Sequence, residues 1–180
     1  MELLRSKSMD RNSFDSGDWF NRIDWTGQEN FFGTGLPPAR GNEPSWPLMR
    51  PRLADPRLDP SPADIAWSRG AFNDLLRIRS SSTLFRLDSA AAVTERLRFL
   101  NTGPQQAPEV IVGHLLGRGY PGATFSEMLY LVNVDIEPHT LQFDDERDKR
   151  YVLHPVHRAS GATDRRAAAR AGGAGRADRD

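Results

Sequence analysis

Apolar residues recur with a helical period in only one long stretch of this chain, and that stretch carries its own start and stop signals. Ser61 supplies a capping hydroxyl, Pro62 fits the first helical position, and Asp64 stands three residues after the cap, where an acidic side chain closes a capping box. The spacing predicts a helix from there to about Arg79, with Ile65, Phe72, Leu75 and Leu76 on one face and Trp67 and Ala71 beside it. Arg77 and Arg79 fall near the end where the helix dipole favours cations, and Ser80-Ser81-Ser82 stops it. A face this apolar predicts packing against something larger.

Downstream the pattern shortens. After a short helical stretch at 90–95, the runs 96–100, 110–116, 128–134, 140–143 and 151–156 read as strands, parted by Asn101-Thr102-Gly103-Pro104, by the glycines from Gly117 to Gly122, and by Glu137-Pro138. Short strands at this spacing predict an antiparallel sandwich. The first 60 residues follow neither period. They are crowded with Gly, Pro, Asp and Asn, and are expected to form a long irregular loop ordered by the packing of Trp19, Phe20, Trp25, Phe31, Phe32 and Trp46. Beyond Thr163 the chain uses only Asp, Arg, Ala and Gly, which gives no side chain large enough for a core and predicts a disordered tail.

Composition removes several function classes. Lys+Arg and Asp+Glu both number 24, so no global field draws the chain to nucleic acid or to an anionic membrane. Asp164, Asp178 and Asp180 dilute the arginines of the tail, so no nucleic-acid role is expected there either. No cysteine is present, which leaves no disulfide and no thiolate metal site, and no apolar run is long enough for a membrane span. Residues 1–30 lack the apolar core of a signal peptide, and the compartment stays undetermined. His154 and His157 are three apart in an expected strand, on opposite faces, so no metal site is expected from the histidines. Gly33-Thr34-Gly35 has neither the preceding strand nor the following Lys of a phosphate loop.

The segment running from Leu3-Leu4-Arg5-Ser6-Lys7-Ser8-Met9-Asp10-Arg11-Asn12 through Ser13-Phe14-Asp15-Ser16-Gly17-Asp18-Trp19-Phe20-Asn21 resembles the stretch after the eighth barrel strand of pullulanases and limit dextrinases. The likeness continues through Gly35-Leu36-Pro37-Pro38, Trp46-Pro47-Leu48-Met49, Arg52-Leu53-Ala54-Asp55-Pro56, Leu75-Leu76-Arg77-Ile78-Arg79 and Arg98-Phe99-Leu100-Asn101-Thr102-Gly103, and covers residues 1 to about 157. The resemblance implies an α+β fragment of an α-amylase-superfamily enzyme. Residues 1–82 would be the last loop and eighth helix of a (β/α)8 barrel, 83–162 an incomplete antiparallel β-sandwich domain, and 163–180 a disordered tail.

A full barrel needs about 250 residues, and the resemblance places the family's catalytic carboxylates upstream of everything matched, so no catalytic residue and no cofactor are expected in this chain. Asp10, Asp15, Asp18 and Asp24 are expected to cap turns. By the resemblance Arg11 and Asn12 face the glucan subsites, with Asn12 where the family often has Asp; Phe14 or Trp19 would offer ring faces to sugar. The competing reading pairs Arg11 with Asp15 or Asp18 to stiffen the loop. The implied function is the C-terminal portion of a debranching hydrolase of α-1,6-glucosidic bonds, inactive alone, with pullulan, limit dextrin or glycogen as partner in the intact enzyme. The alternatives are a free-standing carbohydrate-binding or interaction module, and a non-functional gene remnant. The abrupt change of composition after Ala162 is read as a shifted frame or an artificial gene end, leaving exposed sheet edges.

Overall fold

In the computed structural model, which describes residues 2–166, polar side chains bonded to backbone order much of the aperiodic N-terminal stretch. Asn30 is buried; its Nδ2 donates to the Leu4 carbonyl at 3.0 Å and its Oδ1 accepts from the Phe32 N–H at 2.8 Å. Ser8 donates its hydroxyl to the Gly35 carbonyl at 2.5 Å. Such bonds satisfy a backbone that has no ladder of its own. Of the six rings expected to pack the loop, Trp25 is 75% exposed and Trp19 54%, while Phe20, Phe31, Phe32 and Trp46 are half-buried. None of the six is fully buried, and the small core beneath is built from Leu3, Met49, Ile65 and Ala162.

These residues belong to one of two compact units, the chain up to Asp74 together with Gly161–Asp164; the other begins at Leu75 and runs to Ser160. The first contains the short helix Trp46–Leu53 and most of the long helix Pro62–Ser80. The long helix starts as its sequence dictates. Ser61 Oγ accepts from the Asp64 N–H at 3.3 Å while Asp64 Oδ2 accepts from the Ser61 N–H at 2.9 Å and from the Ser61 hydroxyl at 2.7 Å. Of the predicted apolar face, only Ile65 is buried; Trp67, Phe72, Leu75 and Leu76 remain 42 to 60% exposed. Thr163 belongs to this ordered unit: its N–H donates to buried Asp74 Oδ2 at 2.8 Å, and its side chain fills the space a Cβ on Gly70 would need. The expected tail therefore does not begin at 163, and its residues 167–180 lie outside the described residues.

The second unit is built on an antiparallel sheet of β1 (Leu97–Phe99), β2 (Val110–Leu116) and β3 (Glu127–Asn133), in that spatial order. Val112 and Leu115 of β2 are buried, as is Leu84 in the turn Thr83–Arg86, whose start Ser82 caps through Oγ and the Leu84 N–H. Gly113 pairs with Tyr130, whose ring lies over it where any Cβ would collide. This fills the gap a glycine leaves in a strand.

The small α+β organisation with an antiparallel sheet is present, but two of the five expected strands are not. Residues 140–143 are irregular, and 151–156 end in a one-turn helix, Pro155–Arg158. Pro138 and Pro155 lack ladder donors, and the charged run between them turns instead, as the 3-10 turn Asp144–Glu146. Only one sheet is present among the described residues, so the sandwich is not seen there. Phe99 and Ile111 stay about half exposed, and Val134 and Ile136 are almost bare.

Candidate functional site

Asp10 and Asn42 build the hollow on which the two expected sugar-contacting residues sit. Asp10 Oδ1 accepts from Asn42 Nδ2 at 2.9 Å and from the Asn12 N–H at 3.3 Å, and Oδ2 accepts from the Ser16 hydroxyl at 2.5 Å. Burial pushes the Asp10 carboxyl up, but the bonds from Ser16, Asn42 and the Asn12 N–H outweigh it and hold the group below the usual carboxylate value. Asn42, 2% exposed, also accepts the Arg11 N–H at 3.0 Å and donates to the Pro38 carbonyl at 2.9 Å. The backbone of both Arg11 and Asn12 is thereby fixed from beneath. Asn12 Oδ1 caps the turn Ser13–Asp15 by accepting from the Phe14 N–H at 3.3 Å.

Arg11, Asn12, Phe14, Asp15 and Arg40 line a hollow of about 300 Å³ above Asn42. Arg40 takes Asp15 as its ion-pair partner at 3.3 Å, so the pairing of Arg11 with Asp15 is not what this loop uses. The Arg11 guanidinium has no ion-pair partner among the described residues and is exposed beside the bare Phe14 ring. An open cation, an amide and an apolar ring face are the groups that hold a sugar: donors to its hydroxyls and a surface for its C–H face.

The remaining loop aspartates serve turns. Asp24 accepts from the Thr26 hydroxyl at 2.7 Å and from the backbone N–H groups of Thr26, Gln28 and Glu29 at 2.8 to 3.0 Å. The Thr26 hydroxyl and N–H lead in holding its carboxyl down to about 2. Nearby, the Arg22 guanidinium is clamped between the rings of Trp19 and Phe31, 3.9 and 3.8 Å from their centroids.

Two histidines of the second unit sit in defined polar settings. His154 lies at the start of the one-turn helix, not in a strand, and its Nδ1 accepts from the Val156 N–H at 3.2 Å. Its Nε2 then carries the proton and donates to Ser81 Oγ at 3.0 Å, while Ser81 donates to the Ile78 carbonyl at 2.6 Å. With its base nitrogen already protonated, this Ser-His pair is not arranged to activate the serine. His114, buried on β2, meets Glu127 of β3 and Glu146, and these three offer ligand atoms within 4.8 Å of one another.

Residues 27–177 match the family of alpha-1,6-glucosidases, pullulanase-type, C-terminal. This chain belongs to that family. Over 165 residues it is 46% identical to chloroplastic pullulanase 1 of Arabidopsis thaliana, covering 86% of this chain and 17% of the relative. A pullulanase of Klebsiella pneumoniae is 30% identical over 162 residues, 89% of this chain and 15% of that protein. The crystal structure of the maltotriose complex of PulA from Klebsiella pneumoniae superimposes with a TM-score of 0.66 at 31% identity, over 73% of this chain and 14% of that one. The chain thus spans about a sixth of the length of the curated relatives it matches.

The family match begins after Arg11 and Asn12. Sequence reasoning named those two but missed Asn42 and Arg40, whose roles depend on a chain reversal with no periodic signal. It also missed the His114 cluster. Pairing 110–116 against 127–133 as a hairpin would have placed His114 opposite Leu129 and next to Glu127; Glu146 arrives only through tertiary folding.

Proposed function

We propose that this chain is the C-terminal portion of a debranching glycoside hydrolase that cleaves α-1,6-glucosidic bonds in pullulan-like or glycogen-like glucans, and that it supplies substrate contacts and support, not the catalytic carboxylates. Arg11 and Asn12 are its glucan-contacting residues. The observation that carries this is their joint placement on one hollow, with a guanidinium that has no ion-pair partner among the described residues beside the bare ring of Phe14. A maltotriose complex exists for a PulA that superimposes on this chain, which makes a linear α-glucan the first ligand to try. Residues 1–82 serve as the last loop and eighth helix of a barrel, and 83–162 as the sandwich domain that follows it. The exposed row of Trp67, Phe72, Leu75 and Leu76 supports the barrel reading, since it is a face that packing would cover.

The test is maltotriose binding by the 180-residue chain, followed by NMR or calorimetry, beside reducing-sugar release from pullulan. Saturable binding without cleavage is expected. Arg11→Ala and Asn12→Ala should each weaken binding about tenfold, the worth of one or two hydrogen bonds at about 1.4 kcal/mol. Cleavage by the chain alone would overturn the assignment of the carboxylates to another segment. Binding that neither substitution touches would overturn the role given to Arg11 and Asn12.

A further inference from the structure

We propose that His114, Glu127 and Glu146 form a binding site for a divalent transition-metal ion of the zinc class, with Lys149 as the cation that competes for it. The three come from β2, from β3 and from the turn Asp144–Glu146, and they meet inside the second unit with His114 only 4% exposed. One imidazole and two carboxylates are a donor set that suits borderline cations.

The geometry around the ring is the reason for expecting a cation. Nε2 of His114 lies 3.0 Å from Glu127 Oε2, and Nδ1 lies 3.4 Å from Glu146 Oε1. Both carboxylates thus stand against the buried ring, and each of the three residues offers one ligand atom within 4.8 Å of the others. A metal ion would take one ring nitrogen together with an oxygen of each carboxylate.

Lys149 answers the charge only in part. Its Nζ lies 2.7 Å from Glu127 Oε2 and 3.1 Å from Glu146 Oε2, and Tyr151 donates its hydroxyl to both of those oxygens, at 3.2 and 2.6 Å. Ligand bonds to zinc are about 2.0 to 2.2 Å, which puts the donor atoms of a tetrahedral centre about 3.3 Å apart. The His114–Glu127 contact already meets that separation. Glu146, on a single 3-10 turn, is the ligand placed to close, and Tyr151 would orient it by the bond it already makes.

The experiment is calorimetric titration of the 180-residue chain with zinc chloride in a non-chelating buffer, with cobalt(II) absorption as a second readout and circular dichroism confirming the fold of each variant. One ion per chain is expected, with a visible ligand-field band from cobalt and a melting temperature that rises with metal and falls back with chelator. His114→Gln and Glu146→Gln should weaken binding at least tenfold. Lys149→Met should tighten it about tenfold by removing the competing ammonium, a gain that misfolding would not produce. His139→Asn and His157→Asn should leave it unchanged. The proposal fails if neither the parent chain nor Lys149→Met binds saturably, or if His114→Gln binds as well as the parent. It fails also if the melting temperature does not rise with metal.

Discussion

Replacing Asn42 by alanine tests whether the candidate sugar hollow is held by polar bonds, as its geometry requires. The Asn42 amide is 2% exposed and makes three principal bonds: to the Asp10 carboxylate, to the Pro38 carbonyl and from the Arg11 N–H. The bond to an ionised partner contributes about 1.5 to 3 kcal/mol and the two neutral bonds about 1 kcal/mol each. Water entering from the hollow recovers part of this, which leaves a net cost of about 3 kcal/mol, or roughly a 150-fold fall in the folded-to-unfolded ratio.

The assay is urea unfolding followed by tryptophan fluorescence. All four tryptophans, Trp19, Trp25, Trp46 and Trp67, lie in the first unit, so the signal reports the unit that contains Asn42. With a slope of about 1.5 kcal/mol/M, the midpoint should fall by about 2 M, or the transition should vanish altogether. Arg11→Ala is the contrast. Its side chain is exposed and its backbone N–H, which makes the bond to Asn42, survives the substitution, so its stability should stay within about 0.5 kcal/mol of the parent while maltotriose binding drops. An Asn42→Ala midpoint within about 0.3 M of the parent would refute the claim that these bonds order the loop.

Two further outcomes follow from the same reasoning. Gly113→Ala forces a methyl group into the Tyr130 ring and should cost about 1 to 3 kcal/mol; near-UV dichroism of Tyr120, Tyr130 and Tyr151, all in the second unit, follows it, and a neutral result would mean the ring does not lie over the glycine. Acid should act on the two units in different windows. Burial, then His157, holds His154 below its ordinary 6.5, so the neutral form is the native one: its contribution is complete above pH 6.5 and is lost as pH falls below that. Asp24, lowered from 3.8 to about 2, contributes fully above its unfolded value and loses that contribution only as pH falls toward about 2. The tyrosine signal should therefore respond to acid before the tryptophan signal, and His154→Gln should remove the early phase; coincident transitions in the parent chain would refute the assignment.

What could be read from the sequence was whatever is encoded locally. Ser61, Pro62 and Asp64 specify a helix start through bonds that span three residues, and those bonds are present in the fold. The run 110–116 is rich in β-branched and other apolar residues and needs no partner to be recognised, whereas 140–143 and 151–156 have similar texture but no strand beside them to supply a ladder. The N-terminal loop was legible only as irregular. Its order comes from Asn30 and Asn42, which bond backbone groups 26 and 31 residues away, and from Asp10, which holds the Asn42 side chain, and no period records that. The same limit hid the hollow: Arg11 and Asn12 were marked by resemblance, while Arg40, which engages Asp15 beside them, carried no mark at all.

The long helix is the case where the pattern was right and the burial was not. Its apolar face lies where the spacing predicts, yet Trp67, Phe72, Leu75 and Leu76 are about half open to solvent. Fully burying a large apolar side chain stabilises by about 1.5 to 3 kcal/mol, so covering the open halves of these four would add roughly 3 to 6 kcal/mol. That is comparable to the whole stability of a small unit. Amphipathic pattern records the packing a helix was selected for, and a helix selected to line a barrel keeps that pattern whether or not the rest of the barrel is beside it. The mismatch between period and burial in these four residues is what the proposed barrel-end placement of residues 1–82 would account for, since there a further surface would cover them.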